Sequence, residues 1–196
     1  MASTTILLVR HGETDWNRDR RIQGQSDPPL NDVGRGQARE LARTLAGEHV
    51  DAVYASDLRR AQETAEILAA QLGLPVVIDR ELRELHFGRW EGQTVDELEA
   101  LHPDAFSRWV NGGEAVWDGG ETHHAMAERV RSAVRRLAAS HAGGRILLVA
   151  HGGPVRVLLM DAEGLDYPQA RREFKRIGNC DMSEIAVEDG TVRSLH

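Results

Sequence analysis

A single cysteine, Cys180, in 196 residues rules out an internal disulfide, so the fold must stand on burial alone. That usage agrees with a reducing compartment, and a cytoplasmic location is the expectation. No apolar stretch approaches the roughly 20 residues that cross a bilayer; ILLVA at 146–150 is typical of the longest. The N-terminal MASTT carries neither a basic segment nor an apolar one behind it, so no secretory signal and no membrane partner are expected. Positive charge is also scarce. Lysine and arginine total 24 against 31 acidic residues, a net charge of -7, which argues against a nucleic acid partner because duplex binding needs a broad cationic face. Any anion site must therefore be local. Among the basic residues only Lys175 is a lysine. Repeats with a period of roughly 20–50 residues are absent, as are low-complexity linkers. With 41% hydrophobic residues, the chain is read as one domain over residues 1–196.

What is present is an alternation. TTILLVR (4–10) is a short, β-rich apolar run and reads as a buried strand. VDAVYAS (50–56), LPVVID (74–79) and RILLVA (145–150) read the same way, and SEIAVEDGTVRSL reads as a hairpin turning at Asp189-Gly190. Helical patterns lie between them. In GRGQARELARTLAG, Ala38, Leu41, Ala42 and Leu45 recur at helical spacing before Gly47. DLRRAQETAEILAAQLG is capped by Ser56 or Asp57 and stopped by Gly73. TVDELEALH opens on a capping box, HHAMAERVRSAVRRLAASHAGG sets Met126, Val130, Val134 and Leu137 on one face, and GGPVRVLLMDA starts a further helix. The alternation predicts an α/β fold, a three-layer αβα sandwich with a mostly parallel central sheet.

Open parallel sheets bind ligands at the carboxyl ends of their strands. The first strand ends in Arg10-His11-Gly12, the second in Ser56-Asp57 with Arg60 a turn later, and the 145–150 strand in His151-Gly152-Gly153. These segments should converge on one edge. Two arginines, two histidines and glycine amides at helix starts make a phosphate pocket: the guanidinium fork binds phosphate oxygens in pairs, and helix N-termini add unsatisfied N–H donors. A phosphomonoester, at about -1.5 to -2 charge, matches that cluster.

The chain resembles the histidine phosphatase superfamily, which also holds the cofactor-dependent phosphoglycerate mutases. The likeness rests on LLVRHGETDWN, QGQSDPPLNDVGRGQA, ASDLRRAQETAE, LRELHFGRWEG, GGET and LLVAHGG, in that order. It implies a phosphoglycerate mutase-like fold with His11 as a nucleophile forming a covalent phosphohistidine. It implies Arg10 and Arg60 as the clamp on the phosphoryl oxygens, and His151 as the second histidine of the pocket. Asn17, Gln23 and Gly24 are implied as further phosphate-side groups, with the Gly152 amide as another donor. Glu84, on its own residues a surface partner for Arg83 or Arg80, is implied as the proton donor. Arg59, on another helical face, is read as solvated.

The expected activity is hydrolysis of a small phosphorylated metabolite. The stretch between Gly92 and Gly119 is short where mutases carry an extra segment, and QGQ stands where they tend to read TGW. The alternatives are a cofactor-dependent phosphoglycerate mutase and a non-catalytic module that binds phosphorylated ligands. No cofactor and no metal are implied. His123-His124 lacks the i, i+4 spacing of a ligand pair and reads as two surface histidines. Cys180 reads as a small core residue. Phe87 and Trp90 read as core packing, while Trp109 and Trp117 are candidates for the mouth of the site or for a dimer contact. A homodimer is allowed by the sequence and not required by it.

Overall fold

Strand β1 (Thr4–Arg10) sends Ile6 and Leu8 into one hydrophobic core and Leu7 and Val9 into another. Successive strand side chains point to opposite faces, so a run apolar at every position belongs to a strand covered on both sides. β4 (Arg145–Ala150) repeats the pattern, with Ile146 and Leu148 on the first side and Leu147 and Val149 on the second. These two strands are the parallel centre of the sheet, in register Leu7 with Leu147 and Val9 with Val149. The computed structural model describes residues 2–111, 119–174 and 177–195.

Four further strands complete the sheet: β2 (Ala52–Ala55), β3 (Val76–Ile78), β5 (Met182–Glu188) and β6 (Thr191–Ser194). The order is β3-β2-β4-β1-β5-β6. The first four are mutually parallel and β5 and β6 run antiparallel at one edge, so the expected mostly parallel sheet is found. The β5–β6 hairpin turns at Asp189 (φ 50°) and Gly190 (φ 77°), as the Asp-Gly pair predicts.

One face of the sheet is covered by α2 (Asp32–Thr44) and α3 (Arg59–Leu72), whose Ala42, Ala61, Ala65 and Leu68 are buried against it. The other is covered by α6 (His123–Ser140) and α7 (Gly152–Glu163). On α6 the predicted stripe Met126, Val130, Val134 and Leu137 is buried throughout; each such side chain contributes about 1.5–3 kcal/mol by leaving water. Short helices α1 (Asp15–Arg18), α4 (Val95–Leu101), α5 (Pro103–Val110) and α8 (Tyr167–Glu173) sit in the connections.

Three local readings change. Helix α2 begins at Asp32 under a cap from Asn31, which accepts from the Gly34 amide at 2.8 Å; Gly34 is needed instead for close packing. A Cβ on Gly34 would lie 2.1 Å from the Glu13 carbonyl oxygen, and one on Gly12 would lie 2.6 Å from the Gly34 oxygen. Helix α3 is capped by neither Ser56 nor Asp57 but starts after Leu58, because Asp57 is drawn into ion pairs with Arg83 and Arg80. Cys180 is half-buried at a turn with φ 59°, its amide donating to the Arg10 carbonyl at 3.0 Å, and is not a core residue.

Candidate active site

Parallel alignment of β1, β2 and β4 brings their carboxyl ends together. The His11 amide donates to the Ala150 carbonyl at 3.0 Å, and the Ser56 amide to the Val149 carbonyl at 3.1 Å. His11 is 3% exposed, and its Nδ1 lies 2.7 Å from the Gly12 carbonyl oxygen. A carbonyl only accepts, so Nδ1 carries the proton and the lone pair sits on Nε2. Burial, then the charges of Arg60 and Arg10, hold His11 well below the usual histidine range. It is therefore neutral near pH 7, the state in which an imidazole is a nucleophile.

The His151 ring centroid is 5.2 Å from that of His11, and the residue is fully buried. Burial and the neighbouring Arg60 charge keep it neutral too. Arg60 is 0% exposed, with Nη1 and Nη2 donating at 2.7 Å to the carbonyls of Ser26 and Gly24. Burial brings it down to about 10, which leaves it cationic at neutral pH. Arg10 donates through Nη1 to the Ile177 carbonyl. Four buried nitrogens here, Arg10 Nε, Arg60 Nε and both ring nitrogens of His151, have no hydrogen-bond partner among the described residues. Buried polar atoms are almost always paired in proteins, so four open ones in one place leave nitrogens free for a group from outside the chain.

Glu84 enters from a different part of the chain. Its two carboxylate oxygens each lie 3.1 Å from the Gly153 amide, and Oε1 also accepts from the Leu85 amide at 2.8 Å. Arg83 and Arg80, its ion-pair candidates by sequence, are occupied by Asp57. The segment leading to it is clamped by Arg129, which donates to the carbonyls of Glu81, Arg83 and Glu84 and forms a two-pronged pair with Glu121.

The remaining expected groups gather around the same pocket. Asn17 accepts from the Thr14 amide and from Asn179, whose Nδ2 also donates to the His11 carbonyl at 2.9 Å. Gln23 accepts from the Thr14 hydroxyl at 2.9 Å. Gly24 has φ 52°, and a Cβ there would strike the Glu91 carboxylate, which itself gathers the amides of Gln25, Ser26 and Phe87. Gly152 lies beside Arg10 and Glu84, but a Cβ on it would make only ordinary contacts at 3.8–3.9 Å; the tight position is Gly153. Asn179, Glu91 and Arg129 were not legible, since each acts through partners remote in sequence.

From Arg10, Glu84 and Gly152 a cavity of about 380 Å³ extends along Phe87, Trp109, His123, Tyr167, Arg156 and Arg171. His123 corrects the reading of two surface histidines: it is 5% exposed, its ring 4.4 Å from that of Tyr167, while His124 is exposed. The signal was present, because His123 precedes Met126 by three residues and Val130 by seven and so falls on the apolar stripe. Burial, then Arg171 and Arg156, pull it down to about 4. Phe87 and Trp90 are buried as expected, Arg59 is exposed as expected, and Trp109 lines the cavity; Trp117 lies outside the described residues.

A fold with strand-terminal histidines and arginines converging on such a pocket defines a phosphoryl-transfer architecture. The family model of the histidine phosphatase superfamily (branch 1) matches residues 6–196, and the chain belongs to that superfamily. It is 40% identical over 189 residues to phosphoglycerate mutase-like protein 4 of Arabidopsis thaliana, across 94% of this chain and 80% of that one. Among solved structures, it superposes on Bacillus stearothermophilus YhfR with TM-score 0.89 and 33% identity, covering 97% of this chain and 95% of that one. A mycobacterial glucosyl-3-phosphoglycerate phosphatase in complex with VO3 gives TM-score 0.87 and 33% identity, covering 98% and 96%. Relatives are thus named both as mutase-like and as phosphatases.

Proposed function

We propose that the chain is a phosphomonoester hydrolase acting through a phosphohistidine on His11. The observation that carries this reading is the neutral, Nδ1-anchored His11 set against buried guanidinium and imidazole nitrogens that no group among the described residues satisfies. The His11 Nε2 lone pair attacks phosphorus, the bond to the ester oxygen breaks, and the departing alcohol takes the Glu84 proton. Water then attacks phosphorus, the Glu84 carboxylate takes its proton, and the P–N electrons return to Nε2 as inorganic phosphate leaves. Arg10, Arg60 and His151 stabilise the equatorial oxygens, where charge gathers in the transition state. Asn17, Gln23, Gly24 and the Gly152 amide complete the phosphate-side wall.

Hydrolysis is favoured over a mutase by the short stretch between Gly92 and Gly119, which leaves no long segment to retain a bisphosphorylated intermediate. The substrate is a small phosphorylated metabolite. Nitrophenyl phosphate assays test the reading: wild-type protein releases phosphate, His11→Ala does not, and excess EDTA leaves the rate unchanged because arginines supply the positive charge. Incubation with 3-phosphoglycerate separates the alternatives, since a mutase accumulates 2-phosphoglycerate and a hydrolase accumulates inorganic phosphate. Phosphate-ligand binding with no turnover of any ester would leave only the non-catalytic module.

A further inference from the structure

The cavity beyond Glu84 holds two guanidinium groups that the reaction does not use, Arg156 and Arg171. Arg156, on α7, is 9% exposed and among the described residues donates only to carbonyl oxygens, those of Phe174 at 3.1 and 3.4 Å and Gly152 at 3.4 Å. Most of these are long for hydrogen bonds to a cation. Arg171, on α8, has its guanidinium carbon 5.1 Å from the Trp109 ring centroid, and its buried Nε has no hydrogen-bond partner among the described residues. Among the described residues neither arginine takes part in an ion pair, whereas Arg35, Arg83, Arg129 and Arg131 each hold a carboxylate at 2.7 Å. The chain has more acidic than basic residues, so acids to pair them were not in short supply. Burying like charges side by side is costly unless an anion compensates them.

We propose that Arg156 and Arg171 form a second anion subsite that receives a carboxylate, so that the substrate is a phosphomonoester carrying a carboxylate near its phosphate. The substrate half of this rests on the hydrolase reading above. With its guanidinium carbon over the Trp109 ring, Arg171 still offers a planar fork of N–H donors, which suits a planar carboxylate. Arg156 retains donors beyond those its three carbonyl contacts use. The walls formed by Phe87, Trp109 and Met126 fit the carbon skeleton between the two anionic ends.

The test compares 3-phosphoglycerate with glycerol 3-phosphate, which differ only in a carboxylate against a hydroxymethyl group. Wild-type protein should favour 3-phosphoglycerate in kcat/KM by about tenfold to a hundredfold, the scale of one charge-assisted hydrogen-bond set. In Arg171→Gln that ratio should collapse towards one, and Arg156→Lys, which keeps the charge, should retain part of it. Equal use of the two esters by the wild type, or an unchanged ratio in Arg171→Gln, would overturn the subsite. Calorimetric binding of both esters to His11→Ala, with and without Arg171→Gln, reads the same preference without turnover. If no ester is hydrolysed, nitrophenyl phosphate included, the hydrolase reading fails and the binding comparison still decides the subsite.

Discussion

The Glu84 carboxylate is aimed by two backbone amides, those of Gly153 and Leu85, while Arg83 and Arg80 are spent on Asp57. The two amides fix where the carboxyl group stands, and in the proposed mechanism it gives its proton to the leaving oxygen from there. Glu84→Gln keeps the shape and removes that proton. For an alkyl phosphate kcat/KM should fall about 10²–10⁴-fold; for nitrophenyl phosphate, whose leaving group is stable as an anion, the fall should be at least tenfold smaller. Because kcat/KM reports only the steps through release of the alcohol, the comparison isolates the first half of the reaction. Equal losses for both esters would remove Glu84 from the proposed role.

Helix α7 opens directly at the pocket, and its second residue decides how closely Glu84 approaches. A Cβ on Gly153 would sit 2.2 Å from Glu84 Oε1 and 2.9 Å from Met126 Sδ, so the carboxylate must swing away. Gly153→Ala should therefore lower kcat for alkyl phosphates more than tenfold, with circular dichroism unchanged. Gly36, in the exposed middle of α2, has nothing within 4 Å of an added Cβ. Gly36→Ala should raise stability by about 0.5–1 kcal/mol through helix propensity, with activity intact. Urea titrations and steady-state rates on the two variants check both; a fully active Gly153→Ala would show that the contact does not position Glu84.

The folded molecule holds three histidines neutral, His11, His151 and His123, all below their unfolded value near 6.5 because of burial first and neighbouring arginines second. Unfolded, they take up protons as pH falls through 6.5; folded, they do not, so the unfolded state gains. Stability should thus be greatest above pH 6.5 and decline below it, by up to about 1.4 kcal/mol per pH unit for each histidine. For His123 the decline ends near its folded value of about 4. Asp57, held low by Arg83, adds its own loss only as pH falls through and below its unfolded value of 3.8. Urea unfolding at pH 7.5, 6.5 and 5.5 measures the slope, and His123→Gln should flatten it by about one proton. A stability independent of pH across this range would contradict three buried neutral imidazoles.

The position of the site was legible because its parts are local patterns combined with one topological rule. LLVRHG and LLVAHGG are strands that end in histidine and glycine, and parallel neighbours must end on the same edge, so the meeting of His11, Arg10, Arg60 and His151 follows from reading strands. For His123 the pair alone is not enough: the stripe through Met126 and Val130 fixes which of two adjacent histidines turns inward. Other features depend on contacts that no local pattern encodes. Arg129 reaches Glu84 across 45 residues, Asn179 reaches His11 across 168, and α7 and α8 bring Arg156 and Arg171 to one cavity. Periodicity and turn chemistry are properties of neighbouring residues and so survive in the bare chain. Which remote charges are left unpaired is decided only when helices pack and their carboxylates are distributed among competing arginines.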